Sequence, residues 1–370
     1  MNSFTSNSSK SHDEENRHTY HEDGPDDGVV RQTVASSQGR ALRRWRLRSL
    51  LGIVGVLVLL VLLELTLFRN LAFYGKSPGF IGQLAELEAS FEATHAPNIE
   101  VAIFGDSLGL DALRPDLLAD AAGMNEEEIF NFSISGGSAY DMAKLYHHYE
   151  ASMPGLKKVL IVVNEHQFNN LEAASDIKFK FFAGLQDRLD VMNTQNYGDL
   201  LLGWMLKSYD MRSIWKKMLE KYESGDLREA APVYEGGLPP VTWSPKEYRE
   251  PAYAKKVAQR WFENYEIEGI RTDKFGEMLA AMSERDLEVV VIRLPRSEAF
   301  ETYTAVHYAD EQQAFQSHVA ETAKLTGAVS VVLPQELLTY PNHFRDVNHV
   351  NPEGAKVVSS YVAERWLEEQ

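Results

Sequence analysis

The sequence predicts an α/β protein whose core is a three-layer, open and mostly parallel sheet of about five strands, with helices on both faces. Two observations predict this fold. Between residues 98 and 370, short apolar runs typical of buried strands alternate with segments of helical periodicity. A crossover between parallel strands needs a connection long enough for a helix, so this alternation favours a parallel sheet. Separately, residues 49–68 are almost wholly apolar, which predicts one transmembrane helix ahead of the sheet.

The predicted elements follow in chain order. The strands are residues 98–104, 129–133, 158–163, 287–294 and 328–333. The helices are residues 81–93, 115–122, 139–153, 273–285, 309–325 and 354–367. The extracytoplasmic domain spans 98–370, and a helical insertion at about 170–272 interrupts the alternation. Within it, Met211, Ile214, Trp215, Met218, Leu219 and Tyr222 fall at helical spacing, a stripe that we interpret as core packing of the insertion rather than a ligand platform.

The N-terminal third predicts a membrane anchor. Residues 1–48 are polar, without apolar periodicity, and predict a disordered cytoplasmic tail that ends in a basic juxtamembrane segment. Residues 49–68 contain a single charged residue, Glu64, and predict an uncleaved signal anchor; a core helix or a cleaved signal peptide is the alternative. Residues 69–97 form a juxtamembrane linker and helix. Orientation follows from the cations before the span, Arg40, Arg43, Arg44, Arg46 and Arg48, against Arg69 and Lys76 after it. This distribution predicts a cytoplasmic N-terminus and an external domain.

Composition excludes several classes of site. The 370 residues include no cysteine, which excludes disulfides, thiolate metal sites and a cysteine nucleophile. The formal net charge of −17 argues against nonspecific binding of nucleic acid by the body of the protein. We therefore expect no nucleic-acid partner, and the sequence suggests no cofactor and no metal.

Polar residues follow the predicted strands, where ligands bind in open α/β sheets. The four groups are Gly105-Asp106-Ser107, Ser135-Gly136-Gly137, Asn164-Glu165, and Asp346 with His349. A serine hydroxyl becomes nucleophilic beside a base, the base needs an orienting carboxylate, and the developing oxyanion needs fixed donors. These groups supply each part. Asp106 is expected to accept hydrogen bonds that fix the turn, and Glu165 and His166 either contact substrate or end a solvated loop.

The order of these groups resembles the SGNH (GDSL-type) hydrolase superfamily. Phe104-Gly105-Asp106-Ser107 resembles its first block, residues 131–136 its glycine block, Asn164 its asparagine block, and residues 346–354 its closing Asp-x-x-His block. The resemblance implies a flavodoxin-like sheet and a set of roles. Ser107 would be the nucleophile, His349 the base and Asp346 the orienter. The oxyanion hole would consist of the Ser107 and Gly136 N–H groups and the Asn164 amide.

The resemblance covers about residues 98–170 and 285–367 and departs at two places. The asparagine block normally has a glycine two residues before the asparagine, where this chain has Val162. Its following aspartate is here Glu165. If the valine aims the amide of Asn164 elsewhere, the Gly137 N–H or His166 would be the next donor to consider.

Membrane-anchored members of the superfamily move or remove acyl groups on extracellular polysaccharides, as alginate O-acetylation proteins and the D-alanyl transfer protein do. The resemblance therefore implies a bacterial inner-membrane enzyme with a periplasmic domain. It would pass an acyl group from Ser107 to a glycan hydroxyl or to water, with a membrane acyltransferase as a possible partner. Two alternatives remain: a noncatalytic glycan-binding or assembly protein, and a lipid or thioester hydrolase.

Overall fold

The computed structural model describes residues 28–171, 173–239 and 251–367, and side chains are described from residue 45 onward, apart from residue 47. The chain divides into two compact units, Met1–Val61 and Leu62–Gln370. The described part of the first unit is helical. The second unit contains the sheet and every residue of the predicted site.

The first helix, α1 (Gly28–Thr66), contains the predicted span. Among the described residues, Arg48–Thr66 is the one helical segment long and apolar enough to cross a membrane, with a mean hydropathy of 2.5. Residues 28–48 of the predicted tail form the first part of this helix. Once a long helix has nucleated, adding good helix formers such as Ala41 and Leu42 costs little free energy. Residues 1–27 of the predicted tail lie outside the described residues.

The five predicted strands form one sheet, and the predicted fold class is confirmed. The strands are β1 (Val101–Phe104), β2 (Ile129–Asn131), β3 (Lys158–Val162), β4 (Glu288–Arg293) and β5 (Val329–Val332). Their order is β2-β1-β3-β4-β5, and every neighbouring pair is parallel. The order reverses direction at β1, so the carboxyl ends of β1 and β3 border the crevice in which doubly wound sheets bind ligands.

The sheet is covered on both faces by sixteen further helices of the described residues. They are α2 (Leu71–Tyr74), α3 (Phe80–Ala93), α4 (Ser107–Ala112), α5 (Pro115–Ala122), α6 (Ala139–Tyr149), α7 (Glu165–Phe168), α8 (Ile177–Phe182), α9 (Leu185–Asp190), α10 (Tyr197–Met205), α11 (Lys207–Asp210), α12 (Arg212–Ser224), α13 (Ala252–Phe262), α14 (Ile270–Glu284), α15 (Glu298–His307), α16 (Ala309–Thr326) and α17 (Pro352–Trp366).

Alternate strand residues point to opposite faces, and this period of two builds two cores. Ala102 and Phe104 of β1 pack with α3, α6, α14 and α16. Val101 and Ile103 pack with α4, α5, α13, α15 and α17. The layers are therefore helix, sheet and helix, as the alternating apolar runs predicted.

The insertion is helical, but part of its predicted packing is wrong. Met211 and Met218 are buried in the core, whereas Trp215, Leu219 and Tyr222 on the same stripe are exposed. Helical periodicity identifies an apolar face without saying what covers it. Helix α13, near the end of the insertion, joins the core on one face of the sheet, where Trp261 meets Phe300 of α15 with ring centroids 5.2 Å apart.

Candidate active site

Ser107 stands at the first position of α4, immediately after β1. Asp106 caps this helix, because its Oδ1 accepts the Leu108 N–H at 2.8 Å. Asp106 is buried, and burial raises the pKa of its carboxyl, while the hydrogen bond from Asn164 works in the opposite direction. The aspartate therefore fixes the nucleophile turn, as the sequence predicted.

The base and its carboxylate lie in one loop between β5 and α17. Asp346 Oδ1 accepts the backbone N–H groups of Asn348 at 3.1 Å and His349 at 2.9 Å, so the loop is held by its own acid. An antiparallel bridge between Phe344 and Val350 closes the loop at its base. Ser107 and His349, 242 residues apart in the sequence, meet in this site: the Ser107 Oγ lies 2.8 Å from the His349 Nε2.

The contacts of His349 determine which of its two ring nitrogens carries the proton. Its Nδ1 lies 3.0 Å from both carboxylate oxygens of Asp346. A carboxylate only accepts hydrogen bonds, so Nδ1 carries the proton and donates it to Asp346. In the neutral ring Nε2 is then the acceptor, facing the hydroxyl of Ser107. This is the tautomer that a general base needs.

Asp346 remains ionised at every pH at which the protein is expected to function. Burial alone would raise its pKa, but the hydrogen bond and charge of His349, together with the two backbone donors, lower the pKa to about 2. The carboxylate can therefore stabilise the imidazolium that forms when His349 takes the serine proton.

Two residues of the cleft lining, from different loops, are the predicted backbone donors to an oxyanion. Ser107 begins α4, so its N–H has no acceptor within the helix. Gly136 lies in the turn between β2 and α6 with φ +61°, a conformation that favours glycine. Among the described residues, none accepts a backbone hydrogen bond from the Gly136 N–H. Both residues line the same cleft, so the two donors are suitably placed for an oxyanion.

Helix α3 supports the Gly136 turn, which the sequence did not suggest. Gln83 Oε1 accepts the Ser135 N–H at 3.2 Å, and its Nε2 donates to the Ser135 Oγ at 3.3 Å. The Phe80 ring lies against Gly136 and lines the cleft. Residues predicted as a juxtamembrane linker therefore form one wall of the site.

Val162, the departure from the resembling asparagine block, fits because its neighbours are glycines. A Cβ built on Gly105 or on Gly109 would lie 3.2 Å from the Val162 Cβ, tighter than most real contacts. The same built atom on Gly109 would lie 2.8 Å from the Ser133 Oγ. The missing side chains in the first block thus make room for the extra bulk in the third strand.

The structure turns Asn164 toward Asp106. Its Nδ2 donates to Asp106 Oδ2 at 2.8 Å, and the residue is buried rather than part of the cleft lining. One of the two amide N–H groups is therefore already used, and the second is the one left for an oxyanion. The role of Asn164 in the oxyanion hole stays a prediction.

Of the two reserve donors, one is already engaged. The Gly137 N–H donates to Ile134 O at 2.9 Å. His166 lines the cleft beside Trp261, with ring centroids 5.7 Å apart. Burial and then the nearby charge of Arg271 lower the pKa of His166 to about 4, so its ring is uncharged at neutral pH. A neutral histidine can still donate one hydrogen bond into the cleft.

Glu165 is neither a substrate contact nor a solvated loop residue. It is fully buried and forms a two-pronged ion pair with Arg296, at 2.5 Å and 3.1 Å. Arg293 and Glu301 complete the network on the far side of the guanidinium. The network joins the carboxyl ends of β3 and β4 behind the site. The basic partners of Glu165 are Arg293, the last residue of β4, and Arg296, three residues later.

The triad opens into a cleft of about 840 Å³. Most of its lining is polar or charged, including Asn169, Asp176, Lys178, Arg271 and Arg345. Lys178 and Arg271 both pair with Asp176, at 3.4 Å and 3.2 Å. Apolar lining is limited to Phe80, Leu171, Ile177 and Trp261. Within the described residues, no cluster of three or more His, Asp or Glu side chains could hold a metal ion.

No protein-family model matches the chain, and no curated protein matches it. Among solved structures, a GDSL-like lipase from Bacteroides thetaiotaomicron matches 72% of this chain and 87% of its own, with 11% identity and a TM-score of 0.33. A protein from Desulfitobacterium hafniense, described as lipolytic and of the G-D-S-L family, matches 72% of this chain and 98% of its own, with 13% identity and a TM-score of 0.30. Likenesses this distant say nothing about activity, so the chemistry of the site rests on the side chains of this chain.

Proposed function

We propose that the chain is a membrane-anchored serine esterase or O-acyltransferase that acts on acyl groups of extracellular or envelope glycans. The observation that carries the proposal is the line of contacts from Ser107 through His349 to Asp346, which opens into a cleft. The contact of Ser107 with the correctly protonated imidazole of His349, at 2.8 Å, is not needed to hold the local fold, because Ser107 already begins a capped helix.

The chemistry has two balanced steps. The Ser107 Oγ attacks the ester carbonyl while His349 Nε2 takes its proton, and the carbonyl oxygen becomes the oxyanion facing the Ser107 and Gly136 N–H groups. The intermediate collapses, the alkoxide leaves with the proton from His349, and an acyl-Ser107 ester remains. Water or a glycan hydroxyl then attacks that ester with His349 again as base, which releases the acyl product and restores Ser107.

The cleft favours a hydrophilic substrate over a lipid chain. A lipid hydrolase buries an acyl chain in an apolar groove, whereas most of the residues that line this cleft have a charged, amide, hydroxyl or imidazole side chain. Polar side chains that converge from several elements suit the hydroxyl groups of a sugar. An acyl group as small as acetyl needs no long groove.

The proposed anchor is the apolar segment Arg48–Thr66, and the proposed orientation follows from the arginines before it. Since the chain contains no cysteine, single cysteines at Ser9 and Ser224 test the topology. On intact cells an impermeant maleimide should label Ser224→Cys, whose side chain is exposed, and not Ser9→Cys. Reversed labelling would contradict the orientation.

The activity is tested in two steps with one variant. Purified full-length chain should react covalently with a fluorophosphonate probe, Ser107→Ala should not react, and the surface variant Ser224→Ala should react normally. Cells that produce wild-type or Ser107→Ala protein are then compared for acyl groups on their envelope glycans by mass spectrometry. No labelling would indicate a noncatalytic assembly protein. Labelling with unchanged glycan acylation would point to a lipid ester or a thioester as the substrate.

A further inference from the structure

Helix α10 presents an apolar face to the outside. It buries Leu200 and Gly203, while Tyr197, Leu201, Leu202 and Met205 on the opposite side are 38–62% exposed. A helix on the surface of a water-soluble domain normally shows the reverse pattern, with its polar residues outward. Together with Trp204 and Leu206, which are about equally exposed, these four residues form what we call the α10 patch. Contiguous exposed apolar surface of this kind marks a contact site.

The α10 patch is tied to the residues that end the apolar helix α1. The Glu64 carboxylate accepts the N–H groups of Lys207 and of Ser208, the latter at 3.1 Å. Arg69 Nη2 donates to the carbonyls of Trp204 at 3.1 Å and Met205 at 3.2 Å. These residues all belong to the Leu62–Gln370 unit. The single acid of the apolar segment is therefore the link to the end of the patch.

We infer that the α10 patch inserts into the outer leaflet of the membrane that α1 spans, at the boundary between lipid headgroups and acyl chains. The inference rests on the proposed anchor. The span ends at Thr66, so residues bonded to Glu64 and Arg69 lie at the level where the helix leaves the bilayer. Tyr197 and Trp204 are the aromatic types enriched at that boundary, and the leucines and Met205 supply the apolar area that drives insertion.

Lipid fits this position better than a protein partner. A surface bonded to the end of a spanning helix meets the bilayer whether or not a partner is present. Insertion by apolar side chains also needs no basic surface, which agrees with the net charge of −17.

Buried polar contacts connect the patch to the wall of the active site. Lys207 Nζ donates to Phe181 O at 3.0 Å and Lys180 O at 2.6 Å, and Arg188 pairs with Asp210 inside the same bundle. Both carbonyls belong to α8, which supplies Lys178 to the cleft. Insertion of the patch would therefore hold the cleft at a fixed height above the membrane, toward substrate that is assembled there.

The test uses the full chain in phosphatidylcholine vesicles. Single cysteines replace Leu202 in the patch and Val306 on α15, which is 71% exposed, and each carries an environment-sensitive NBD label. We expect vesicles with brominated acyl chains to quench the Leu202→Cys label at least twofold and the Val306→Cys label hardly at all. Equal quenching at the two positions would overturn the inference. A label at Leu202→Cys that is shielded from water yet unquenched by bromolipid would overturn it in favour of a protein contact.

Two further measurements distinguish a failure of this inference from a failure of the proposed function. Retention of the chain by vesicles after alkaline carbonate reports insertion of α1, and loss of the chain would overturn both the anchor and the patch contact. Fluorophosphonate labelling of Ser107 in the same samples reports the triad. A labelled Ser107 in a retained chain, with an unquenched patch, would remove the lipid contact alone.

Discussion

The substitution Asn164→Ala gives the sharpest test of the site, because two different hydrogen bonds are assigned to the Asn164 amide. One N–H of its amide donates to the buried carboxylate of Asp106, and the second is the proposed donor to the oxyanion. The substitution removes both. The two functions have different consequences, since one acts on the folded state and the other only on the transition state.

The structure sets a separate magnitude for each consequence. A hydrogen bond to a charged group contributes roughly 1.5 to 3 kcal/mol, so the free energy of unfolding should fall by that amount. The fall should grow as pH rises. Burial raises the pKa of Asp106, and the hydrogen bond from Asn164 lowers it. Without that hydrogen bond, the pKa of Asp106 in the folded variant rises further, and ionising the buried carboxyl costs more free energy. A raised pKa in the folded state means stability that is lost as pH rises above the unfolded value. Loss of an oxyanion donor should lower kcat by about 10² to 10³-fold, or roughly 2.7 to 4 kcal/mol.

The assay pairs denaturant unfolding at two pH values with turnover of a chromogenic aryl acetate. Gln167→Ala is the matched control, because Gln167 is buried beside Asn164, accepts its backbone N–H and donates to Val162 O, away from the cleft. The control should lose stability and keep the kcat of its folded fraction. If Asn164→Ala behaved like the control, with reduced stability and nearly native kcat, Asn164 would not belong to the oxyanion hole.

Four further outcomes are expected. His349→Ala should lower kcat by roughly 10⁶-fold and Asp346→Asn by roughly 10⁴-fold, and a near-native rate in either would refute the triad. Because the pKa of Asp346 is lowered to about 2, wild-type protein should lose stability between about pH 4 and 2, a loss that a pH series of Asp346→Asn should lack. Glu165→Gln should lower the free energy of unfolding by about 3 to 5 kcal/mol in a denaturant titration, since it leaves Arg296 buried and under-paired; a loss below 1 kcal/mol would contradict that pairing. Gln83→Ala should lower kcat more than it raises KM by loosening the Gly136 turn, and unchanged kinetics would make the contact merely structural.

Most of the sheet could be predicted because β1 to β4 are largely buried on both faces, whereas β5 is mostly exposed. Val159 to Val162 and Val289 to Ile292 are continuous apolar runs of strand length, rich in β-branched residues, which is typical of strands buried in a parallel sheet. The strand ends then indicated where to look for Ser107 and His349. What the sequence could not show is distance: that these side chains meet at 2.8 Å depends on packing of the whole domain.

Two features were missed for different physical reasons. Helix α4 is short and begins at the nucleophile itself. The sequence indicates its start only by one capping residue, Asp106, which can equally be interpreted as part of the catalytic motif. The ion pair of Glu165 with Arg296 joins positions 131 residues apart. Charged residues are usually exposed, so a pairing in the interior has no local signature.

The exposed stripe of α12 and the face of α10 show a more general limit. Apolar periodicity was interpreted as core packing, and for Met211 and Met218 this was correct. The same periodicity is expected of a surface that faces lipid, because the hydrophobic effect is indifferent to whether protein or bilayer removes the area from water. The contacts of Glu64 with Lys207 and Ser208 support lipid as the proposed cover of the α10 patch, since they join the residues just after α10 to the last turns of the apolar helix.

The residues before the sheet therefore do more than connect the domain to the proposed anchor. Glu64 and Arg69 hold the C-terminal end of α10, and Phe80 and Gln83, a few residues later, hold the Gly136 turn that faces Ser107. A domain cut from the chain after the apolar segment would keep its triad, while a cut after α3 would remove the support of an oxyanion donor. The proposed anchor and the reaction centre are thus linked by one short stretch of sequence, and under the proposed function this stretch would set the height at which a glycan meets the nucleophile.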